Sequence, residues 1–152
     1  MWIYKCQING KVEEYWDNGI LKSEGEYING KKIGKGKNYD INGNLLFEGE
    51  YLYDFIIKGK QYIKNKLEYL GEYLYYSKWN GKGYDENGNI KYELINGNGK
   101  VVEYFSDFGK LMFEGEYLTG KRNGHGKEYY NGNLKFEGEY LDDERIQGNK
   151  NK

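Results

Sequence analysis

The sequence predicts an all-β fold: an elongated single-layer antiparallel sheet of about six stacked β-hairpin repeats. The triplet Gly-Glu-Tyr recurs about every 22 to 24 residues, and one interval is about twice as long. The 152 residues include 23 Gly and 18 Tyr but no Pro, and Asn-Gly pairs typical of tight turns separate short alternating stretches. The triplets begin at Gly25, Gly49, Gly71, Gly115 and Gly138.

The period divides the chain into units of a single domain spanning residues 1–152. The long interval contains a degenerate repeat, which we call the worn unit: residues 91–97 resemble residues 135–141 with deletions. We place the units at about 3–24, 25–48, 49–70, 71–92, 93–114 and 115–137, with a partial unit at 138–152.

The first strand of each unit alternates between two faces. Phe136, Gly138 and Tyr140 point one way, and the charged residues between them point the other way. Glycine weakens a strand, so its recurrence between two rings indicates that a neighbouring ring lies on the backbone there. We expect a continuous ladder of rings on one face and a mostly solvated face carrying Glu and Leu.

The turns follow from local sequence. Asn42-Gly43, Asn87-Gly88 and Asn131-Gly132 tolerate positive φ and predict hairpin turns. Asn29-Gly30 and Thr119-Gly120 predict the connections on the other side of the sheet.

The pattern resembles the MORN repeat, in its short variant of tandem β-hairpins. The match is fullest at residues 113–126, Phe-Glu-Gly-Glu-Tyr-Leu-Thr-Gly-Lys-Arg-Asn-Gly-His-Gly. Two places depart from it: Phe55-Ile56-Ile57 replaces a polar loop, and the fifth unit lacks the triplet. The resemblance implies a twisted sheet of stacked hairpins used for protein scaffolding, for dimerisation and, in some members, for contact with phosphoinositides.

The residues do not predict an enzyme, a cofactor or a metal. His125 is the only histidine and has no obvious metal cluster or nucleophile beside it. Asp142-Asp143-Glu144 lacks the spacing of a calcium loop and is interpreted as a solvated tail. The recurring Gly-x-Gly pairs lack the third glycine of a phosphate loop.

The main functional prediction is a scaffold that binds another protein along an aromatic concave face or by pairing at a sheet edge. A single layer has no second layer to cover its rings, so we expect ring area to stay exposed. The candidate contacts are Tyr51, Tyr73, Tyr117, Phe55 and Trp79. A purely structural role for these rings remains open.

Charge supports this choice of partner. With 23 basic and 24 acidic residues the net charge is -1, which argues against a nucleic-acid partner. The main alternative is a phosphoinositide headgroup bound by Lys31, Lys32, Lys121 and Arg122, with peripheral membrane contact. A second is an antitoxin- or immunity-like neutralising role, suggested only by labels given to some bacterial chains of the short variant.

The N-terminus has no signal-like apolar stretch, and Cys6 has no second cysteine to pair with. We therefore expect a cytoplasmic protein. A second copy of the chain, paired through sheet edges, is a further candidate partner.

Overall fold

The computed structural model describes residues 8–107 and 109–150, with side chains described as far as residue 146. Cys6 lies outside these residues. The strands of the described chain are β1 Gly10–Tyr15, β2 Leu21–Ile28, β3 Lys31–Tyr39, β4 Leu45–Leu52, β5 Phe55–Ile63, β6 Lys66–Leu74, β7 Ser77–Tyr84, β8 Ile90–Leu94, β9 Gly99–Tyr104, β10 Leu111–Leu118, β11 Lys121–Tyr130, β12 Asn133–Leu141 and β13 Glu144–Lys150.

Within each sheet, consecutive strands pair antiparallel, which confirms the all-β class of stacked hairpins. The ladder is divided between two sheets, with β1 to β8 in the first and β9 to β13 in the second. The sequence predicted one uninterrupted sheet, so the break between β8 and β9 is new. Asp142-Asp143-Glu144 is exposed, as predicted, but it is not a tail, because Asp142 and Asp143 form a hairpin turn and Glu144 begins β13.

A row of paired glycines crosses each sheet. The inner glycines of each row pair with glycines on both neighbouring strands, so adjacent backbones there have no side chain between them and the ring face. The pairs are Gly25↔Gly36, Gly36↔Gly49, Gly49↔Gly59, Gly59↔Gly71 and Gly71↔Gly81 in the first sheet, and Gly115↔Gly126, Gly126↔Gly138 and Gly138↔Gly148 in the second.

An aromatic ring lies on alternate glycine pairs: Phe47 on Gly49 and Gly59, Tyr69 on Gly71 and Gly81, and Phe113 on Gly115 and Gly126. A Cβ added at Gly49 would lie 2.7 Å from Cζ of Phe47, and one added at Gly115 would lie 2.6 Å from Cζ of Phe113. These glycines leave the space in which the rings lie, as their spacing predicted, and we call them the glycine seats. This is how a single layer buries a core: the rings lie down on the sheet rather than stand against a second layer.

Neighbouring rings complete the burial. Phe47 makes edge-on contacts with Tyr51 of its own strand at 5.7 Å and with Tyr73 two strands later at 5.9 Å between ring centroids. Phe113 contacts Tyr140 in the same way at 5.4 Å. The buried hydrophobic residues are Phe47, Tyr51, Tyr69, Tyr92, Leu94, Val101, Phe113, Phe136 and Tyr140.

The opposite face carries strands of alternating charge. The salt bridge between Lys58 and Glu50 measures 3.4 Å and that between Lys60 and Glu48 measures 3.7 Å, but these side chains are largely exposed, so each pair adds little stability. The charges flanking the glycine row are Glu24 and Glu26 on β2, Lys35 and Lys37 on β3, Glu48 and Glu50 on β4, and Lys58 and Lys60 on β5.

The break coincides with the worn unit. In a regular first strand three residues separate the glycine from the turn, whereas only Ile95 separates Leu94 from the turn at Asn96-Gly97. Pairing between β8 and β9 is consequently limited to one bridge, Ile95↔Asn98. Leu94 and Val101 stand in the glycine positions, at 1% and 3% exposure, and fill the space that a ring fills elsewhere.

Candidate functional site

The three tyrosines chosen from sequence differ in exposure. Tyr51 is 6% exposed, and its hydroxyl accepts a hydrogen bond of 2.9 Å from Asn38. Tyr73 donates to Gln61 at 3.0 Å and Tyr117 donates to Glu103 at 2.6 Å. Tyr73 and Tyr117 are only half-buried, and the structure brings them together at one cavity.

That cavity, the inter-sheet cleft, has a volume of about 340 Å³. It lies where the two sheets meet, because its lining comes from the strands on both sides of the break. The lining includes Tyr73, Tyr76, Lys78, Tyr92, Glu103 and Tyr117. A volume of this size and a wall of rings suit a single side chain or a small ligand.

A buried ion pair forms one wall of the cleft. The Lys78 ammonium lies 2.7 Å from the Glu68 carboxylate and donates to the Tyr92 hydroxyl at 2.9 Å. The same ammonium lies 4.8 Å from the centroid of the Tyr69 ring. Burial, followed by the charge of Glu68, raises the pKa of the Tyr92 hydroxyl.

A second ion pair forms another part of the site. Arg122 donates from Nε and Nη2 to the two oxygens of Glu103, at 3.1 and 2.9 Å, and lies over the Phe113 ring at 4.2 Å. Burial and the neighbouring Glu103 raise the pKa of the Tyr117 hydroxyl. The carboxylates keep free lone pairs, so the cleft can accept a further hydrogen bond from a ligand hydroxyl.

Four exposed rings stand beside the cleft on two hairpin turns, and we call them the aromatic knuckle. They are Tyr53 at 54% exposure, Phe55 at 43%, Tyr75 at 78% and Tyr76 at 61%. The Phe55 ring lies 5.1 Å from Tyr76 and 6.3 Å from Tyr75 between centroids. Leu52 and Leu74, half exposed at the ends of their strands, extend the apolar surface.

The knuckle is built on strained backbone. Tyr53, Tyr75 and Tyr76 have φ values of 49°, 47° and 67°, in the left-handed region that suits Gly and Asn. Three corresponding turns of other hairpins carry Asn29-Gly30, Asn96-Gly97 and Thr119-Gly120, and a fourth carries Asp142-Asp143, whose residues are also left-handed. Each left-handed tyrosine costs roughly 1 kcal/mol relative to such residues.

Sequence reasoning identified Phe55 and missed Tyr53, Tyr75 and Tyr76. The signal was present, since Tyr75-Tyr76 occupies the positions of Asn29-Gly30 when the units are aligned on Gly-Glu-Tyr. Lys78 and Glu68 were also missed. Nothing in one unit shows that the lysine turns inward, because that depends on the bulge after the turn.

Trp79 packs against the degenerate hairpin between β8 and β9. A Cβ added at Gly97 would lie 2.8 Å from Cε3 of the Trp79 ring, so the ring packs directly against that turn. The Gly97 amide donates to the Trp79 carbonyl at 2.8 Å. The structure gives Trp79 a packing role at the break.

The four basic residues of the lipid alternative divide into two pairs. Lys31 and Lys121 are exposed, whereas Lys32 is 5% exposed and Arg122 is half-buried in its ion pair with Glu103. The Lys32 ammonium donates to Ser23 at 2.8 Å, and its stem covers Gly25 and Gly36 where other units place a ring. Burial lowers the pKa of Lys32. The inward pair is not placed to meet a headgroup.

A groove of about 740 Å³ crosses the charged face from β1 to β6. Its floor is the glycine row, and its walls include Lys35, Glu48, Glu50, Lys58 and Lys60. The sequence predicted a mostly solvated face here. The groove offers paired, exposed charges rather than apolar anchors.

The described chain offers no cluster of three or more His, Cys, Asp and Glu residues that could hold a metal. His125 lies on the charged face, with Nε2 3.2 Å from Glu137 and Nδ1 3.5 Å from Glu139. In the part of the chain that the structure covers, no helix is long and apolar enough to cross a bilayer.

Comparison of the chain with protein-family models and with curated proteins finds no match.

Proposed function

We propose that this chain is a non-catalytic repeat scaffold that binds another protein through the aromatic knuckle and the adjoining cleft. The knuckle carries the proposal, because three exposed tyrosines occupy turn positions where Asn and Gly would give a more stable fold. Left-handed backbone strain that is retained to expose these tyrosines indicates that the exposed surface has a function. The MORN-like pattern of the sequence supports the same kind of function.

The composition of the surface fits a protein partner. Exposed tyrosines supply large contact area with few rotatable bonds and are enriched at binding hot spots. Among the described residues, the hydroxyls of Tyr53, Tyr75 and Tyr76 have no hydrogen-bond partner, so each can bond to a partner. Together the four rings expose on the order of 500 Å², as large as the main apolar patch of a typical monomer.

Affinity capture from lysate of the source organism tests the proposal. We compare the wild-type chain with Tyr75→Asn/Tyr76→Gly, which restores the turn residues of the other hairpins and should fold at least as stably. Lys64→Asn is the matched control, since it changes an exposed left-handed residue in the turn between β5 and β6, at the other end of the strands from the knuckle. We expect specific capture by the wild type and the control and loss in the double variant; capture equal in all three contradicts the proposal.

A further inference from the structure

Four hairpins turn a basic side chain inward over an aromatic ring. In each of them the basic residue is the second residue after a pair of left-handed turn residues. Its charged group lies between 4.2 and 4.8 Å from a ring centroid. The contacts are Lys32 over Tyr51, Lys78 over Tyr69, Arg122 over Phe113 and Arg145 over Phe136. A cation held against the rings is thus a recurring feature of this fold.

The worn unit has no such cation. Gly99 is the second residue after its turn pair, Asn96-Gly97. A Cβ at Gly99 would lie 2.4 Å from the Glu93 carbonyl oxygen, so the backbone excludes a side chain there. Gly99 pairs with Tyr117 in the ladder, and the Tyr117 ring lines the inter-sheet cleft. The cleft therefore adjoins the place where other hairpins supply a basic group.

We propose that the inter-sheet cleft binds a primary alkylammonium ion against its tyrosine rings and carboxylates. The ion takes the role that the inward basic side chain has in other hairpins. The inference rests on the proposed function, because it names what the bound protein places in the cleft: the end of a lysine side chain. A free alkylamine has the same chemistry, and the experiment below separates the two sources.

The hydrogen-bonding groups of the cleft favour a ligand that donates. The Lys78 ammonium contacts the two Glu68 oxygens at 2.8 and 2.7 Å and the Tyr92 hydroxyl at 2.9 Å, which accounts for its three N–H groups. Glu103 accepts from Tyr117 and keeps lone pairs that face no donor of the cleft wall. An incoming ammonium can donate to these oxygens.

The charges of the cleft also favour a cation. Glu68, Glu103 and Asp143 line it together with a single basic residue, Lys78. Arg122 lies beside the cleft and donates to Glu103, but the carboxylates still exceed the basic groups by one. A ligand with one positive charge balances this excess.

The size and shape of the cleft suit the end of a chain. Its volume is about 340 Å³, which admits a few methylene groups and an ammonium. Rings that contact the methylenes on their faces also attract the charge. The rings are those of Tyr73, Tyr76, Tyr92, Tyr104 and Tyr117.

Nuclear magnetic resonance titration of the purified chain with butylammonium chloride tests the site. Butanol has the same length without the charge, and tetramethylammonium has the charge without an N–H group. We expect butylammonium to bind at least tenfold more tightly than either, with amide shifts centred on the strands that line the cleft. Equal affinity for butylammonium and butanol, or shifts centred elsewhere, overturns the proposal.

Asp143→Asn removes the excess carboxylate and keeps the side-chain oxygen that accepts from the Arg122 amide. Asp54→Asn is the matched control, because Asp54 occupies the same turn position between β4 and β5 and accepts from the Lys32 amide at 2.8 Å. We expect butylammonium affinity to fall about fivefold in Asp143→Asn and to stay at the wild-type value in Asp54→Asn. The same affinity in both variants contradicts the proposal.

Two further ligands identify the source of the ammonium. Nα-acetyl-lysine methylamide should bind at least as tightly as butylammonium if the cleft takes a lysine side chain. Binding of 1,4-diaminobutane with exclusion of the lysine derivative would overturn the lysine source. A chain that binds none of these amines but still captures a protein through the knuckle would refute the inference and leave the scaffold function standing. Amine binding by a chain whose capture ignores the knuckle variant would refute the scaffold function instead.

Discussion

At the scale of single residues, the glycine seats carry the fold. A Cβ at Gly49 would lie 2.7 Å from both the Gly59 Cα and the Phe47 ring, and the backbone cannot move away without breaking the ladder. We expect Gly49→Ala to lower the free energy of unfolding by about 3 kcal/mol, through overpacking beneath a buried ring. Urea unfolding followed by circular dichroism measures it.

Gly88 provides the matched control for this prediction. It has φ of 83° in an exposed turn, and a Cβ there meets nothing within 4 Å. Gly88→Ala should cost only the backbone strain of a left-handed alanine, about 1 kcal/mol. Equal losses at the two positions would show that the ring seat is not what constrains Gly49.

Some residue roles were readable from sequence and others were not. The seat glycines could be predicted because their period matched that of the rings. Tyr73 and Tyr117, chosen from sequence as partner contacts, line the inter-sheet cleft, and their contact with a partner stays a prediction. Lys32 was placed on the surface because its neighbours are lysines. Ser23 occupies the position at which other units carry a ring, and the Lys32 stem fills the space of that ring. This substitution could be recognised only once the cross-strand pairs were known.

At the scale of the strands, the hairpins were predictable because their turns and alternation are local. The break was not, although the worn unit was recognised, because strand separation depends on how many residues pair before the bulge. Only Ile95 and Asn98 bridge β8 and β9. The shorter distance between Leu94 and the turn after β8 thus divides the strands into two sheets.

The break has a measurable effect on amide exchange. The bridge at Ile95↔Asn98 sets the alternation, so the backbone groups of Glu93 and Lys100 face the gap. Within the described residues neither strand has a ladder partner on that side. We expect these two amides to exchange much faster than those of Glu48 and Lys60, which lie in paired strands of the first sheet.

Nuclear magnetic resonance of the exchanging chain resolves the four amides individually. Protection at Glu93 and Lys100 equal to that at Glu48 and Lys60 would mean that β8 and β9 are paired in solution.

At the scale of the molecule, tyrosines link stability to alkaline pH. Burial raises the pKa of Tyr39, Tyr51 and Tyr62 in the first sheet to about 12, from an ordinary value of 10. Tyr129 and Tyr140 in the second sheet also reach about 12. The unfolded chain releases these protons first, so the stabilisation is complete below pH 10 and is lost as the pH rises towards 12.

We expect the phenolate absorbance to rise in one steep step that coincides with loss of the circular dichroism signal. The core runs through the break, from Tyr69 and Tyr92 to Val101 and Phe113, so both sheets should unfold together. The pKa of Lys32 is lowered from its ordinary value of 10.5, so this group makes the fold more stable as the pH rises towards 10.5. It is a single group, whereas several tyrosines act in the destabilising direction. Gradual titration of single tyrosines from a folded chain would contradict this expectation.

The alternating charge of the strands limits how such a chain can change its length. Glu strands lie between Lys strands from β2 to β5, so removing one strand would bring two rows of like charge side by side, whereas removing a hairpin restores opposite neighbours. Gain or loss of a whole hairpin therefore keeps unlike charges opposite each other. Descendants of this sequence should differ by multiples of one repeat, and their strand number should change only in twos.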